Sequence, residues 1–450
     1  MVLALLGVVS AGETSGGKTA SKKSAPRSGA SGRASAKGKP APGAPSSRRE
    51  AVYTSASGPS VPDADVPSGE LPFEGADNVI GNPEGLYRFF RKLDALRNGR
   101  RLKVNVLHVG DSHIQADFMT ATTRRLLQGQ FGNAGRGLVF PYDLVRTNGP
   151  VDYASSSNVA WCSDRNIARA PTLPTGISGM VLQSDEPNAY IRMFLKNTDE
   201  MNYDFNQVTV LYEKGELFCD LVFFDADNRQ IGYISALEEM YSDSRFSTSI
   251  TFPFSISNFT LYTYAAQETQ KLSRLYGMLL ENGQSGIRYD TVGVNGAEFR
   301  HYAGTPYFFQ QTASLSPDLV IVSLGTNDSM VKSFSTEDFV NAMDSMVMQI
   351  KQMVPDASIL LTVPPDSLKR SRVNYNLESI RRIIINYCRE NNFAYWDLLS
   401  VMGGLTSIRQ WQSQGLAQRD NVHYTRTGYH TQGKLLYEAL MKGYDQYAVR

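Results

Sequence analysis

The apolar positions change their rhythm along the chain, and each rhythm predicts a different kind of structure. Residues 12–70 are Ser, Gly, Ala, Pro and Lys with almost nothing that could bury apolar surface, so a disordered linker is expected over 12–75. Order should begin near Asn82. Asn82-Pro83 reads as an N-cap followed by a first helical residue, and Leu86, Phe89, Phe90, Leu93 and Leu96 mark one face of the helix that follows. The run Val104 to Val109 predicts a buried strand ending at Gly110-Asp111-Ser112-His113. A helix is expected from there to about Gln130, and the Gly-rich stretch 131–138 closes the unit.

The rhythm then becomes short and β-rich. Strand-like runs fall at Ala189–Leu195, Gln207–Tyr212, Leu217–Phe224, Ile231–Ile234, Ser247–Phe252 and Phe259–Tyr264, with acidic, Asn and Gly turns between them. That spacing predicts an all-β sandwich over 150–284, inserted into a different fold. Tyr212, Phe223, Phe224, Tyr233, Tyr262 and Tyr264 alternate as strand core should, and most of them are read as core.

From Ile287 strands alternate with helices again. Strands are expected at Ile287–Val294, Leu319–Leu324, Ile359–Val363 and Phe393–Trp396. One helix opens on the capping-box pattern Ser335-Thr-Glu-Asp338 and carries Phe339, Met343, Met346, Val347, Ile350 and Met353. Another carries Leu377, Ile380, Ile384 and Cys388, and a last one runs from about Gly428 through Leu435, Leu436 and Leu440. Such alternation implies a parallel sheet with helices on both faces. The α/β domain is therefore discontinuous, 76–149 with 285–450.

Composition narrows the class. Apolar residues make up 42% of the 450, enough for a sizeable core. Formal net charge is +1, yet residues 11–50 hold nine Lys and Arg against Glu13 and Glu50. The remainder is mildly acidic, which gives no nucleic-acid footprint. No apolar run reaches 18 residues, so no transmembrane span is expected. Residues 1–11, MVLALLGVVSA, look like the apolar and cleavage ends of a secretory signal whose basic start is missing, so an exported, periplasmic or envelope-associated protein is expected. Gly12 to Thr19 matches a P-loop pattern, but no apolar helix face follows Lys18, so nucleotide binding is not expected. Cys162 and Cys219 leave room for one bridge within the insert; small buried hydrophobes are the preferred reading of Cys162, Cys219 and Cys388. The five histidines show no metal-ligand spacing, so neither a metal nor another cofactor is expected.

Polar clusters stand where strands end, which is where an open parallel sheet carries its chemistry. Ser112 follows the first strand, Asn295-Gly296 the second and Gly325-Thr-Asn327-Asp328 the third; Asp420-Asn-Val-His423 precedes the last helix. Ser112 alone reads equally as a helix cap, and His423 alone as a surface histidine. A serine hydroxyl needs a base to become a nucleophile, and His423 is the residue type for it. Asp111 and Asp328 are read as supports of loop geometry, and His113 as either pocket lining or packing.

As an ordered set, GDSH (110–113), VNG (294–296), GTND (325–328) and DNVH (420–423) resemble the blocks of the SGNH, or GDSL-like, hydrolase superfamily. The resemblance covers about 80–150 and 285–450. It implies a flavodoxin-like three-layer α/β fold and a serine esterase in which Ser112 is the nucleophile, His423 its base and Asp420 the group that orients the imidazole. It also implies an oxyanion hole made by the backbone N–H groups of Ser112 and Gly296 and the side-chain amide of Asn327. GDSHIQAD, FGNAGRG and GLAQRDNVHYTRTGY further resemble bacterial peptidoglycan O-acetylesterases that carry an inserted carbohydrate-binding-like β-sandwich. An O-acetylated glycan is then the expected partner. A lipid or aryl esterase, a sugar O-acetyltransferase and a non-catalytic polysaccharide-binding protein are the alternatives.

Overall fold

A computed structural model describes residues 75–449 apart from 187, 199 and 200. The expected signal segment, the P-loop match and nearly all of the linker lie outside the described residues.

The centre is a six-stranded sheet. Its strands are β1 (Ile80–Gly81), β2 (Lys103–Gly110), β3 (Gly286–Gly293), β4 (Leu319–Ser323), β5 (Ser358–Thr362) and β6 (Ala394–Trp396). They lie side by side in the order β1-β6-β5-β4-β2-β3. All pairings are parallel except β1 with β6. Because both faces are covered, the strands read as continuous apolar runs. Val104 and Val106 of β2 enter one core, with Phe89, Phe90, Leu435 and Leu436 of the first and last helices. Leu107 and Val109 enter the other, with Met343, Met346, Ile380 and Ile384. This is the three-layer α/β fold. Its strand order, taken from β2 onward, puts the topological switch between β2 and β4.

Between β2 and β3 the chain builds two antiparallel sheets. One has the order Gln230–Ile234, Asp220–Phe224, Asn258–Tyr264, Tyr190–Leu195, Tyr153–Ser157. The other has the order Ser247–Ile256, Phe205–Tyr212, Ser273–Glu281, Met180–Ser184, Cys162–Arg165, with Gly137–Val139 added beside Ser273–Glu281. Their facing side chains, Phe205 against Phe259 and Phe252 against Phe223 among them, join the same apolar cluster as Leu107 and Val109 of β2.

Several expectations need correction. Asn82 does not cap a helix: it adopts a left-handed φ of 51°, a 3-10 turn Pro83–Leu86 follows, and its side-chain amide donates to the Phe393 carbonyl at 2.8 Å. The helix after Ser112 is two pieces, Ser112–Gln115 and Phe118–Phe131, broken where Asp117 takes a φ of 61°. All three cysteines are free, and Cys162 is exposed rather than buried. Tyr212 and Phe223 are core, but Tyr233 and Tyr264 are 45% and 49% exposed, on the outward side of their sheet. Strands Tyr153–Ser157, Cys162–Arg165, Met180–Ser184 and Ser273–Glu281 went unread.

The break at Asp117 has an electrostatic cause. The Asp117 carboxylate is buried and accepts from Arg124 at 2.7 and 3.1 Å, from Arg136 at 2.6 Å and from the Thr291 hydroxyl at 3.1 Å. Burial alone would raise its pKa, but Arg124 and Arg136 outweigh that and hold it below the usual carboxylate range. Arg136 reaches on to Asp152, with contacts at 2.9 and 3.0 Å, just before the first strand of the insert. Arg124 donates to the Tyr203 hydroxyl at 3.1 Å within it. Removing one partner of such a buried group strands the others, typically at about 3–5 kcal/mol. Arg136→Ala is therefore expected to lose about that much stability in urea unfolding; a loss under about 1 kcal/mol would show that the cluster does not hold the two parts together.

Candidate active site

The site is built at the switch point by loops that leave neighbouring strands level with one another. Gly110 at the end of β2 pairs with Gly293 of β3 on one side and Ser323 of β4 on the other. Glycine is required at Gly293, where a Cβ would stand 2.3 Å from the Gln115 amide nitrogen. The nucleophile turn therefore packs directly on β3. Asp111 caps that turn, its carboxylate accepting the His113 N–H at 2.9 Å.

The three expected residues of a triad meet. Ser112 Oγ lies 2.9 Å from His423 Nε2, and His423 Nδ1 lies 2.7 Å from Asp420 Oδ2. The other Asp420 oxygen accepts the backbone N–H groups of Val422 and His423, each at 2.9 Å. This tight turn uses Asn421 at a φ of 64°. Partial burial pushes the Asp420 pKa up, but the amide and imidazole of His423 and the Val422 amide outweigh it and hold it low. Asp420 is thus an anion across the neutral pH range. Its contact requires the proton on Nδ1 of a neutral His423, leaving Nε2 as the acceptor that faces Ser112.

Gly296 adopts a φ of 83°, and a Cβ there would approach only Ile167 Cδ1, at 3.8 Å. The space on the side-chain side of Gly296 is therefore open apart from Ile167. Asn327 follows β4, and its Nδ2 donates to the Ala297 carbonyl at 3.0 Å and to Asp111 Oδ2 at 3.3 Å. The Asn327 amide thereby ties the Ser112 turn to the Gly296 loop. The bond to Asp111 is the longer of the two. The sequence did not mark the wall behind Gly296. There Gln115 accepts the Asn295 N–H at 2.6 Å and donates to Thr147 Oγ1 at 2.9 Å, while Asn295 Nδ2 donates to Asn148 Oδ1 at 2.6 Å.

Around the triad, other ionisable groups are buried and kept neutral. His113 lies beside His423 with ring centroids 5.4 Å apart. Burial, then the charge of His423, push its pKa down to about 3. Its Nδ1 is 3.0 Å from the Tyr429 hydroxyl, which itself takes the Tyr424 N–H next to His423. His113 therefore supports the His423 loop as well as lining a small cavity with Gln432 and Thr326. Asp111 is pushed up to about 7 by burial, against the His113 amide. Asp328 is pushed up to about 7 by burial and then by Glu298. Among the described residues no group of three or more His, Cys, Asp or Glu side chains could hold a metal ion.

Comparison with known proteins agrees with this geometry. Residues 249–431 match the model of the GDSL-like Lipase/Acylhydrolase family. The matched span contains Gly296, Asn327, Asp420 and His423. It omits Ser112, which the intervening sheets separate from them in sequence. No curated protein sequence matches the chain. A solved structure of a peptidoglycan O-acetylesterase superposes with a TM-score of 0.67 at 21% identity, covering 80% of this chain and 96% of that one. That likeness is one of fold, and it includes the inserted sheets, since β1–β6 with their helices make up less than 80% of the chain. An acetylxylan esterase from Geobacillus stearothermophilus aligns over 36% of this chain and 74% of its own at 18% identity, with a TM-score of 0.28.

The neutral state of Asp328 has a consequence for stability. Its pKa is raised on folding, so the stability it contributes is complete below about 3.8 and is lost as pH rises through about 7. Asp328→Asn keeps the shape and removes the titration. Urea midpoints measured from pH 4 to 8 should move in favour of the variant as pH rises, by up to about 4 kcal/mol. A constant difference across that range would mean that Asp328 is ionised throughout.

Proposed function

We propose that this protein is a serine esterase that removes O-acetyl groups from a cell-envelope polysaccharide, peptidoglycan being the expected substrate, and that it acts as an exported protein. The observation that carries the reading is the unbroken line from Ser112 Oγ through the His423 imidazole to Asp420, at 2.9 and 2.7 Å, on the switch-point loops of an acylhydrolase domain.

In this reading Ser112 Oγ attacks the acetyl carbonyl carbon while its proton passes to His423 Nε2. Asp420 holds the ring in place and stabilises the imidazolium. The carbonyl oxygen becomes an anion facing the N–H groups of Ser112 and Gly296 and the Asn327 amide, which leaves Asp111 for it. Collapse expels the sugar oxygen, which takes the proton from His423. Water, deprotonated by His423, then attacks the acetyl-Ser112 ester, releasing acetate and returning the proton to the serine. The neutral state of His113 matters here, because a cation 5.4 Å from His423 would oppose its protonation.

Acetate release from O-acetylated peptidoglycan by the full chain tests the substrate, and Ser112→Ala tests the chemistry. Ser112→Ala and His423→Ala should each lower kcat by at least about 10⁴-fold. Asp420→Asn should lose up to about 10⁴-fold, because an amide permits the wrong imidazole tautomer. Asn327→Ala should lower kcat about 10²–10³-fold with KM little changed. Turnover by Ser112→Ala at the parent rate would refute the nucleophile; hydrolysis of aryl acetates without acetate release from the glycan would refute the substrate.

A further inference from the structure

The Gly296 loop is a four-residue turn, Val294 to Ala297, closed by the Ala297 N–H on the Val294 carbonyl at 3.0 Å. Gly296 is its third residue, and a φ of 83° there is that of a type II turn. Type I and type II turns differ by a flip of the central peptide, which here joins Asn295 to Gly296 and carries the Gly296 N–H. The turn type therefore decides which way that donor points. We infer that Gln115, aided by Asn148, is the positioning residue that holds this turn and so aims the Gly296 N–H. The inference rests on the esterase reading above, in which that N–H meets the oxyanion, and adds to it the group that sets the donor's direction.

Gln115 is buried and closes the short helix that Ser112 opens. Its backbone N–H donates to the Asp111 carbonyl at 3.0 Å, and the close approach of Gly293 packs it against the end of β3. Its side chain has one orientation that satisfies its partners. Oε1 accepts the Asn295 N–H at 2.6 Å, and a backbone N–H can only donate. Nε2 donates to the Asn148 carbonyl at 2.5 Å and to Thr147 Oγ1 at 2.9 Å, and a carbonyl can only accept. One buried carboxamide thus joins the helix of Ser112 to the second residue of the turn that carries Gly296. Asn148 holds the same residue from outside, its Oδ1 accepting from Asn295 Nδ2 at 2.6 Å.

The ends of the turn are fixed from other directions. The Val294 N–H donates to the Gly110 carbonyl at 3.2 Å and extends the pairing of β2 with β3. The Ala297 carbonyl accepts from Asn327 Nδ2 at 3.0 Å. The first, second and fourth residues are thus held, and the exposed third, Gly296, takes its direction from them. Of these holds, the one on Asn295 adjoins the central peptide. Without the Gln115 carboxamide, the Asn295 N–H and the Asn148 carbonyl lose that partner, and the turn is free to relax by flipping the peptide. A misplacement of about 1 Å costs about 10²-fold in rate. The bond from Asn148, an exposed residue, competes with water and counts for less.

Hydrolysis of 4-nitrophenyl acetate by the full chain tests this without the glycan. Gln115→Met keeps the length of the side chain and removes both hydrogen-bonding groups. It should lower kcat and kcat/KM by the same factor of about 10², as the loss of a transition-state contact does. The acidic limb of its pH profile should stay where the parent's is, because the line from Ser112 through His423 to Asp420 is untouched. Gly296→Ala supplies the comparison: its Cβ has room, but its φ disfavours alanine, so the donor is lost directly. On that background Gln115→Met should cost less than about threefold, whereas general damage to the site would multiply in full. Asn148→Ala should lower kcat about three- to tenfold, with the same non-additivity. Gln115→Met at the parent rate, a shifted acidic limb or full multiplication with Gly296→Ala would each overturn the positioning role. If Gln115→Met does not fold, Asn148→Ala at the parent rate would overturn it. A parent no faster than Ser112→Ala would overturn the esterase reading itself, and the inference with it.

Discussion

Two arginines buried against one aspartate hold the molecule together at the point where its parts diverge. Arg124 and Arg136 are at most 1% exposed, and neither could stay ionised there without Asp117 and Asp152. The geometry that satisfies them fixes three other things. It sets Asp117 at the left-handed turn that ends the short nucleophile helix. It anchors β3 through Thr291, and β3 carries the Gly296 loop. It also binds the insert at its entry, through Asp152, and again through Tyr203. The Ser112 turn, the Gly296 loop and the insert are thus registered on a single cluster of charges.

The catalytic region uses the opposite device. Asp420 and the imidazole it orients are partly exposed, with side chains 46% and 34% accessible. Of the ionisable groups buried nearby, His108 and His113 are held neutral at neutral pH, and burial pushes Asp111 and Asp328 up to about 7. His108 shows how this is done without loss of hydrogen bonding. Burial pushes its pKa down to about 3, while Tyr289 and Ser323 each meet one ring nitrogen at 2.7 Å. Ser323 in turn accepts from Thr362, so a polar line crosses β3, β2, β4 and β5 under the nucleophile.

The α/β half was legible because strands buried on both faces give continuous apolar runs and helices give a 3.6-residue stripe. Those runs located β2 to β5 to within about a residue. The insert was only half legible. Tyr153–Ser157 and Cys162–Arg165 are written largely in Ser, Ala, Asp and Arg, residues with little strand signature; their ladders come from partners further along the chain. Alternation alone could not say which of the six aromatics looked inward, and Tyr233 and Tyr264 are among those that look out. The triad residues were legible as types at strand ends. Gln115 and Asn148 were not, since amide side chains are ordinary in loops, and only the fold shows that they meet Asn295, which the sequence marked at a strand end.

That last point bears on why the insertion sits where it does. β3 is the edge strand of the central sheet, and the antiparallel sheets enter the chain between β2 and β3. A module placed there must leave the nucleophile turn and return to the strand that carries Gly296. Its first residues, 142–167, are therefore carried past the open side of the oxyanion loop, and Ile167 comes to rest beside Gly296. An insertion between β5 and β6, on the far side of the sheet, would leave that side of the site to solvent. Topology alone thus brings the start of the insert beside the Gly296 loop, where Ile167 is its nearest side chain.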